Sequence, residues 1–239
     1  MAPPQVTARN DPRQYDLLAG EWWRPGGLFE LLHWLAVARA ALIPPAPRAG
    51  ALLVDVGCGA GLLAPHLRDR GYRHVGLDLT ASALVRARAQ GVVPVRADAA
   101  RLPLPDGIAD VVVAGELLEH VPDLPATVAE LCRVLRPGGL LVLDTLNDTL
   151  LSRLVTITVA EFLVPRARGI HDARFYVDPA RLTALCARHG VRLRIRGTRP
   201  GLTALTGWLL GRPVPEHARR MRPTRSTAVA YQGLGLKQW

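Results

Sequence analysis

Two carboxylates and an imidazole stand close together in this chain: Glu116, Glu119 and His120. On a helix, spacings of three and four place such residues near one face. The three side chains could hold a divalent ion; oxygen-rich ligation suits Mg²⁺, and the histidine also admits Zn²⁺. Without a metal, His120 could act as a general base, with Glu119 beside it as the second catalytic candidate. The same stretch also reads as an exposed helix start that Pro122 ends. Further on, His171-Asp172 could cap the mouth of a site or lie in an ordinary loop.

A second group of residues concerns binding. Leu52 to Gly61 reads Leu-Leu-Val-Asp-Val-Gly-Cys-Gly-Ala-Gly. Gly57, Gly59 and Gly61 let the chain turn sharply after a strand and approach a ligand closely. The segment 62–70 reads as a helix whose first amides would face that ligand. Asp78, at the end of the next strand, is placed to accept hydrogen bonds from ribose hydroxyls, or to cap a helix. Asp98, after a third strand, could accept from an adenine amino group or sit in a surface turn. The acid Asp55, two residues ahead of the glycines, suits a cofactor with an amino group or a sulfonium better than a pyrophosphate. Nothing resembles a P-loop Lys-Ser/Thr, which argues against phosphoryl transfer.

These positions need a scaffold, and the apolar periodicity supplies one. Strands are expected at 51–56, 74–78, 92–96, 110–114, 139–144 and 191–196, with a last strand at 226–232. Helices are expected at 62–70, 81–89, 124–135 and 179–189. Such alternation means βαβ units and a parallel sheet covered on both faces. The expectation is a single domain over 1–239. It has a helical lead-in at 1–50, with a helix from Leu28 to Ile43 stopped by Pro44-Pro45. A lid or membrane-facing insertion spans 147–178, and 199–224 is a loop-rich segment on the substrate side.

Composition bounds the partners. Of 239 residues, 49% are hydrophobic, enough for a full core. No apolar run reaches the length of a membrane span. Met1 to Asn10 lacks a basic flank and an apolar stretch, so no secretory signal is read. Cys58, Cys132 and Cys186 have no metal-like spacing and fit a reduced, cytoplasmic compartment. The formal net charge is +10, and Lys237 is the only lysine, so the excess is arginine. The arginines crowd the last quarter without interleaved aromatics, which argues against nucleic acid. An anionic membrane surface or an anionic substrate fits better. Leu150 to Val164 is apolar and flanked by Arg153, Arg166 and Arg168, as an interfacial element or a lid helix would be.

In order and spacing, three motifs resemble class I S-adenosylmethionine-dependent methyltransferases: Asp55-Val-Gly-Cys-Gly-Ala-Gly61, Leu102-Pro-Leu-Pro-Asp106 with Asp110-Val-Val-Val113, and Leu135-Arg-Pro-Gly-Gly-Leu-Leu-Val142. The resemblance narrows to the ubiquinone-biosynthesis O-methyltransferases. It is carried by Tyr15-Asp16, Trp22-Trp23, Gly27, Phe29 and His33, then Glu116-Leu-Leu-Glu-His-Val-Pro-Asp123, Thr145-Leu-Asn147, Gly169-Ile-His-Asp172 and Tyr176-Val-Asp-Pro179. It covers nearly the whole chain. It implies a Rossmann-like, mostly parallel seven-stranded sheet with an antiparallel last strand, and cofactor roles for Arg39, Gly57, Asp78 and Gly115. It also implies O-methylation of a polyprenylated phenol or catechol, with a divalent metal associated with the Glu-x-x-Glu-His motif in eukaryotic relatives. Three rivals are a methyltransferase for a polyketide, sugar or other secondary metabolite, an RNA methyltransferase, and a non-catalytic adapter that binds membrane or a partner enzyme.

Overall fold

A computed structural model describes residues 8–239. Its centre is β1 (Leu52–Val56), β4 (Ala109–Gly115) and β5 (Leu135–Leu146). Valine, leucine and alanine dominate these strands, and Val54, Val112, Val113 and Leu143 are fully buried. Near-continuous apolar runs of this kind mark strands covered on both faces. Beside β1 lie β2 (Arg73–Asp78) and β3 (Val93–Arg96). Beyond β5 come β8 (Ala230–Lys237), β6 (Val191–Pro200) and β7 (Met221–Thr224). The full order is β3-β2-β1-β4-β5-β8-β6-β7. The first five strands in chain order pair in parallel, whereas β8 runs antiparallel to β5 and β6.

The helices start where the sequence offers caps. Asp123 accepts from the Ala126 amide at 2.9 Å to open α4 (Leu124–Val134), and Asp178 accepts from Arg181 at 2.8 Å to open α7 (Pro179–Arg188). Each has proline in its first turn, where the missing N–H costs nothing. α4 and α7 pack against one face of the sheet through Leu131, Cys132, Leu182 and Cys186. The lead-in supplies α1 (Arg13–Leu17) and α2 (Glu30–Ala40). Ala40 and Ile43 pack against Leu53, Val111 and Val142 on the opposite face. α3 (Ala81–Ala89) follows β2.

The chain departs from expectation in three places. The sheet has eight strands, because the 199–224 stretch contains both α8 (Leu202–Leu209) and the edge strand β7. The segment expected as a helix at 62–70 is a 3₁₀ helix over Ala64–Arg70, after turns that complete the glycine loop. The last strand begins at Ala230, so Tyr231 opens it instead of closing it. Gly233 and Gly235 disguised this strand; a Cβ on either would meet Leu143, Leu193 or Val191 within 3.1 Å, so close packing across the sheet requires glycine there. The insertion, expected as an interfacial element or a lid helix, is one helical run: α5 (Leu150–Arg153), a π turn (Leu154–Val159) and α6 (Ala160–Leu163). No described helix is long and apolar enough to cross a membrane.

Candidate active site

The strand order reverses between β1 and β4, and open parallel sheets bind ligands at such a crevice. The glycine loop lies there. Gly57, Gly59 and Gly61 have φ of 72°, 51° and 76°, conformations that side chains rarely adopt. The amides of Gly57 and Cys58 both donate to the Leu77 carbonyl, at 2.7 and 3.0 Å, which ties the loop to β2. Asp78 accepts from the Gly59 amide at 2.9 Å and from the Thr80 amide at 2.8 Å. Burial raises its pKa and these amides oppose the rise. It does not cap α3, so the capping alternative fails. The lead-in covers the loop: a Cβ on Gly59 would stand 2.7 Å from the Trp22 ring, and Trp23 Nε1 donates to the Ala60 carbonyl at 3.2 Å. Trp22 Nε1 is buried with no partner among the described residues, as a donor awaiting a ligand would be.

Asp55 and Asp98 are placed differently from the rest. Asp55 is buried on β1 with a carboxylate oxygen 3.3 Å from His74 Nε2. Asp98 lies exposed beyond β3 and accepts from the Ala100 amide at 2.9 Å, closing its own turn.

At the end of β4 the chemistry thickens. Arg39, from α2, reaches the sheet and makes two 2.7 Å bonds to Asp144 on β5 through Nε and Nη2. Both residues are buried. Burial disfavours the guanidinium charge, but Asp144 outweighs it, and the Arg39 pKa is raised. Among the described residues no hydrogen bond reaches its Nη1, which leaves that nitrogen for a ligand. Gly115 is where Arg39 lies against β4; any Cβ there would fall 1.9 Å from the guanidinium carbon. Asp144 entered no sequence-based expectation, since nothing local distinguishes it from a structural acid.

Glu116 then breaks the chain's direction. Its φ is 49°, a left-handed conformation for a non-glycine residue, and its amide donates to the backbone oxygen and to Oδ1 of Asp144, both at 3.0 Å. The expected helical face therefore does not form; a 3₁₀ turn over Leu118–His120 takes its place. Glu119 is fully buried and accepts from the Thr145 hydroxyl at 2.8 Å. Among the described residues, one oxygen each of Glu116 and Glu119 is buried with only the other carboxyl to share a proton with. Burial raises both carboxyls, Glu119 to about 7, and their mutual proximity pushes Glu116 further.

His120 turns the other way, into a cage of aromatic rings. Its Nδ1 lies 2.5 Å from the Asn10 amide oxygen and its Nε2 3.3 Å from the Tyr15 hydroxyl. The His171 ring stacks on it at 5.4 Å. Tyr176 meets His171 edge-on, with ring centroids 6.4 Å apart. Burial first, and His171 second, push His120 down to about 3; burial pushes His171 to about 4. Both imidazoles are therefore neutral at physiological pH. His171 lies against His120, where a cap on the mouth was expected. Asp172 instead accepts from Arg174 at 2.6–3.1 Å and starts the turn over Ala173–Phe175.

The proposed metal ligands do not converge. Glu119 faces Thr145 in the core while both ring nitrogens of His120 face Asn10 and Tyr15. Among the described residues, no group of three or more His, Cys, Asp or Glu could hold a metal ion. The kink at Glu116 is the physical reason, because it separates the carboxylates from the imidazole.

Comparison with known proteins agrees with this geometry. A methyltransferase-domain family model matches residues 54–143. The ubiquinone biosynthesis O-methyltransferase of Thiobacillus denitrificans is 34% identical over 74% of this chain and 81% of its own length. That of Cupriavidus pinatubonensis is 34% identical over 77% and 78%. In fold, a SAM-dependent methyltransferase from Thermotoga maritima superposes with a TM-score of 0.64 at 17% identity, covering 94% of this chain and all of that one. A phosphoethanolamine N-methyltransferase from Haemonchus contortus, solved with S-adenosyl-L-methionine, has a TM-score of 0.60 at 14% identity and covers 99% of this chain and 61% of that one. The glycine loop, the acid after β2 and the carboxylate–imidazole turn after β4 thus stand on a methyltransferase scaffold, and the chain belongs to the ubiquinone biosynthesis O-methyltransferase family of S-adenosylmethionine-dependent enzymes.

Proposed function

We propose that the chain methylates a phenol or catechol hydroxyl of a polyprenylated quinone precursor, with His120 as the general base. The observation that carries this reading is the contact between His120 Nε2 and the phenol hydroxyl of Tyr15 at 3.3 Å. The neutral imidazole already faces an O–H of the same chemical type as the proposed acceptor. S-adenosylmethionine, when bound, supplies an electrophilic methyl group on a sulfonium. Gly57, Gly59 and Asp78 would hold its nucleoside end, and the free Nη1 of Arg39 its carboxylate. His120 accepts the hydroxyl proton as the oxygen attacks, and so takes up the positive charge that the sulfur loses. The resulting imidazolium stays hydrogen-bonded through Nδ1 to the Asn10 amide oxygen, which disperses part of that charge. The cage of Tyr15, His171 and Tyr176 keeps the reacting pair aligned and dry, where alignment and proton removal contribute most.

The greasy acceptor suits the surface above the site. Along Leu150–Leu163 only Ser152 is buried. Leu150 is 82% exposed and Phe162 77%. An apolar helical run with arginines at its ends fits the headgroup boundary of an anionic bilayer. This exposed run supports our proposal that the protein, expected in the cytoplasm, makes peripheral contact with a membrane.

The test is a methyl-transfer assay with short-chain polyprenyl catechols and phenols, with and without chelator. The expected result is catechol or phenol turnover that chelator leaves intact and that His120→Ala lowers about 10²- to 10⁴-fold. Full activity in His120→Ala would remove the histidine from the reaction.

A further inference from the structure

Asn10 lies 110 positions before His120 in the chain, yet touches it twice. Its amide nitrogen donates to the His120 carbonyl at 3.0 Å. Its amide oxygen stands 2.5 Å from Nδ1. The first contact determines the second. A carbonyl only accepts, so the NH₂ must face it, and the amide oxygen must then face the ring. An oxygen that only accepts requires the imidazole proton on Nδ1, which leaves the lone pair on Nε2. No other hydrogen bond to Nδ1 exists among the described residues.

We propose that Asn10 is the positioning residue for His120: it locks the ring with its proton on Nδ1, so that Nε2 is the acceptor presented to the substrate hydroxyl. The last clause rests on the reading of His120 as the base; the tautomer lock does not. An unrestrained imidazole exchanges between two tautomers, and only one of them can accept a proton on the side of the cleft.

Asn10 is itself held in place. Its amide donates to the Gly169 carbonyl at 2.8 Å. Gln14 donates to the same carbonyl at 3.1 Å and to Ala8 at 2.9 Å. Arg9 pairs with Glu161 at 2.6 and 2.9 Å and donates to the His171 carbonyl at 2.9 Å. This strap ties the entrance of the chain to the segment that carries His171. The titratable groups that face His120 are Tyr15 and His171; Tyr176, Arg9 and Glu161 lie beyond His171, and Glu119 turns to Thr145. The φ of Asn10 is 60°, a conformation that asparagine tolerates. A purely conformational role would be met equally well by glycine, and this separates the two explanations.

The test is ¹⁵N NMR of the histidine side chains in the full-length protein, with His120→Gln to assign the resonance, alongside steady-state kinetics. The expected wild-type signature is a single tautomer protonated on Nδ1. Asn10→Gly keeps the backbone conformation and yields a mixture of tautomers. Its kcat falls roughly ten- to a hundredfold while KM for S-adenosylmethionine is unchanged. Asn10→Asp restores an acceptor at Nδ1 and returns the Nδ1-protonated signature, while the lost donor to the His120 carbonyl leaves kcat between those of Asn10→Gly and wild type. A wild-type ring protonated on Nε2 overturns the proposal, as does Asn10→Gly with an unchanged signature or unchanged kcat. Failure of the proposed reaction reads out separately: no phenol is then methylated, whereas the tautomer is measured without turnover.

Discussion

A single methyl group on Gly115 should break the ion pair beneath the site. An added Cβ would lie 1.9 Å from Arg39 Cζ, 2.2 Å from Nη2 and 2.3 Å from Nε. The guanidinium would have to retreat by about 1.5 Å to reach ordinary contact at 3.4 Å. It has no freedom to do so, because the same two nitrogens are held at 2.7 Å by Asp144. The strand cannot yield either: Gly115 is paired with Asp144 in the sheet, and the next amide is bonded to it twice. The cost of Gly115→Ala is therefore that of opening a buried pair, about 3–5 kcal/mol, and not the ~1–3 kcal/mol of ordinary overpacking. Urea unfolding reads this as a lowered midpoint at constant slope. In an Arg39→Ala background the methyl has room, and the further cost should be below ~1 kcal/mol, a coupling of at least ~2 kcal/mol. Additive costs, or a Gly115→Ala variant as stable as wild type, would refute the reasoning.

Two further outcomes are expected. Glu119 titrates at about 7 when folded against an ordinary 4.5, and Glu116 is also raised, so their contribution is complete at acid pH and drains as pH climbs through about 7. His120 and His171, lowered to about 3 and about 4 from 6.5, act oppositely: their contribution is complete above 6.5 and is lost as pH falls. Guanidinium midpoints from about pH 5 to 8 should pass through a maximum; Glu119→Gln should remove part of the loss between about pH 5 and 7, so that its midpoint at pH 7 stands higher relative to pH 5 than in wild type, and an unchanged difference would mean Glu119 is not its source. Wild-type protein should co-sediment with phosphatidylglycerol vesicles and Leu154→Ser/Phe162→Ser should not; equal binding of the two would mean the exposed run is no membrane contact.

The scaffold was readable because its signals are local. α3 runs from Ala81 to Ala89, as its periodicity predicts, and the glycine loop sits where a strand-ending glycine triplet must. The readings that failed depend on distant neighbours. Strand β8 contains two glycines that only their packing against β5 and β6 explains. The helix expected through Glu116 ignored the two bonds by which Asp144 holds its amide. Asn10 and Asp144 carry no local mark, since each acquires its role from a partner more than a hundred residues away. Tyr15 and Thr145 were visible only through family resemblance, and their contacts with His120 and Glu119 emerged with the fold.

The strap that aligns His120 bears on how the enzyme stops working. Residues 8–14 are fastened by hydrogen bonds and the Arg9–Glu161 ion pair, and Gln14 is the one buried residue among them, whereas Tyr15 beyond them stacks on Trp22 and Phe29. Little apolar area is lost when residues 8–14 lift, so they belong to the least costly openings available to the chain. The sheet core, with its fully buried valines and leucines, belongs to the most costly. Heat or mild denaturant therefore releases the strap first and leaves a folded sheet with a histidine free to turn. Inactivation and unfolding are two events in this molecule, and the first can be reversed by refastening residues 8–14 alone.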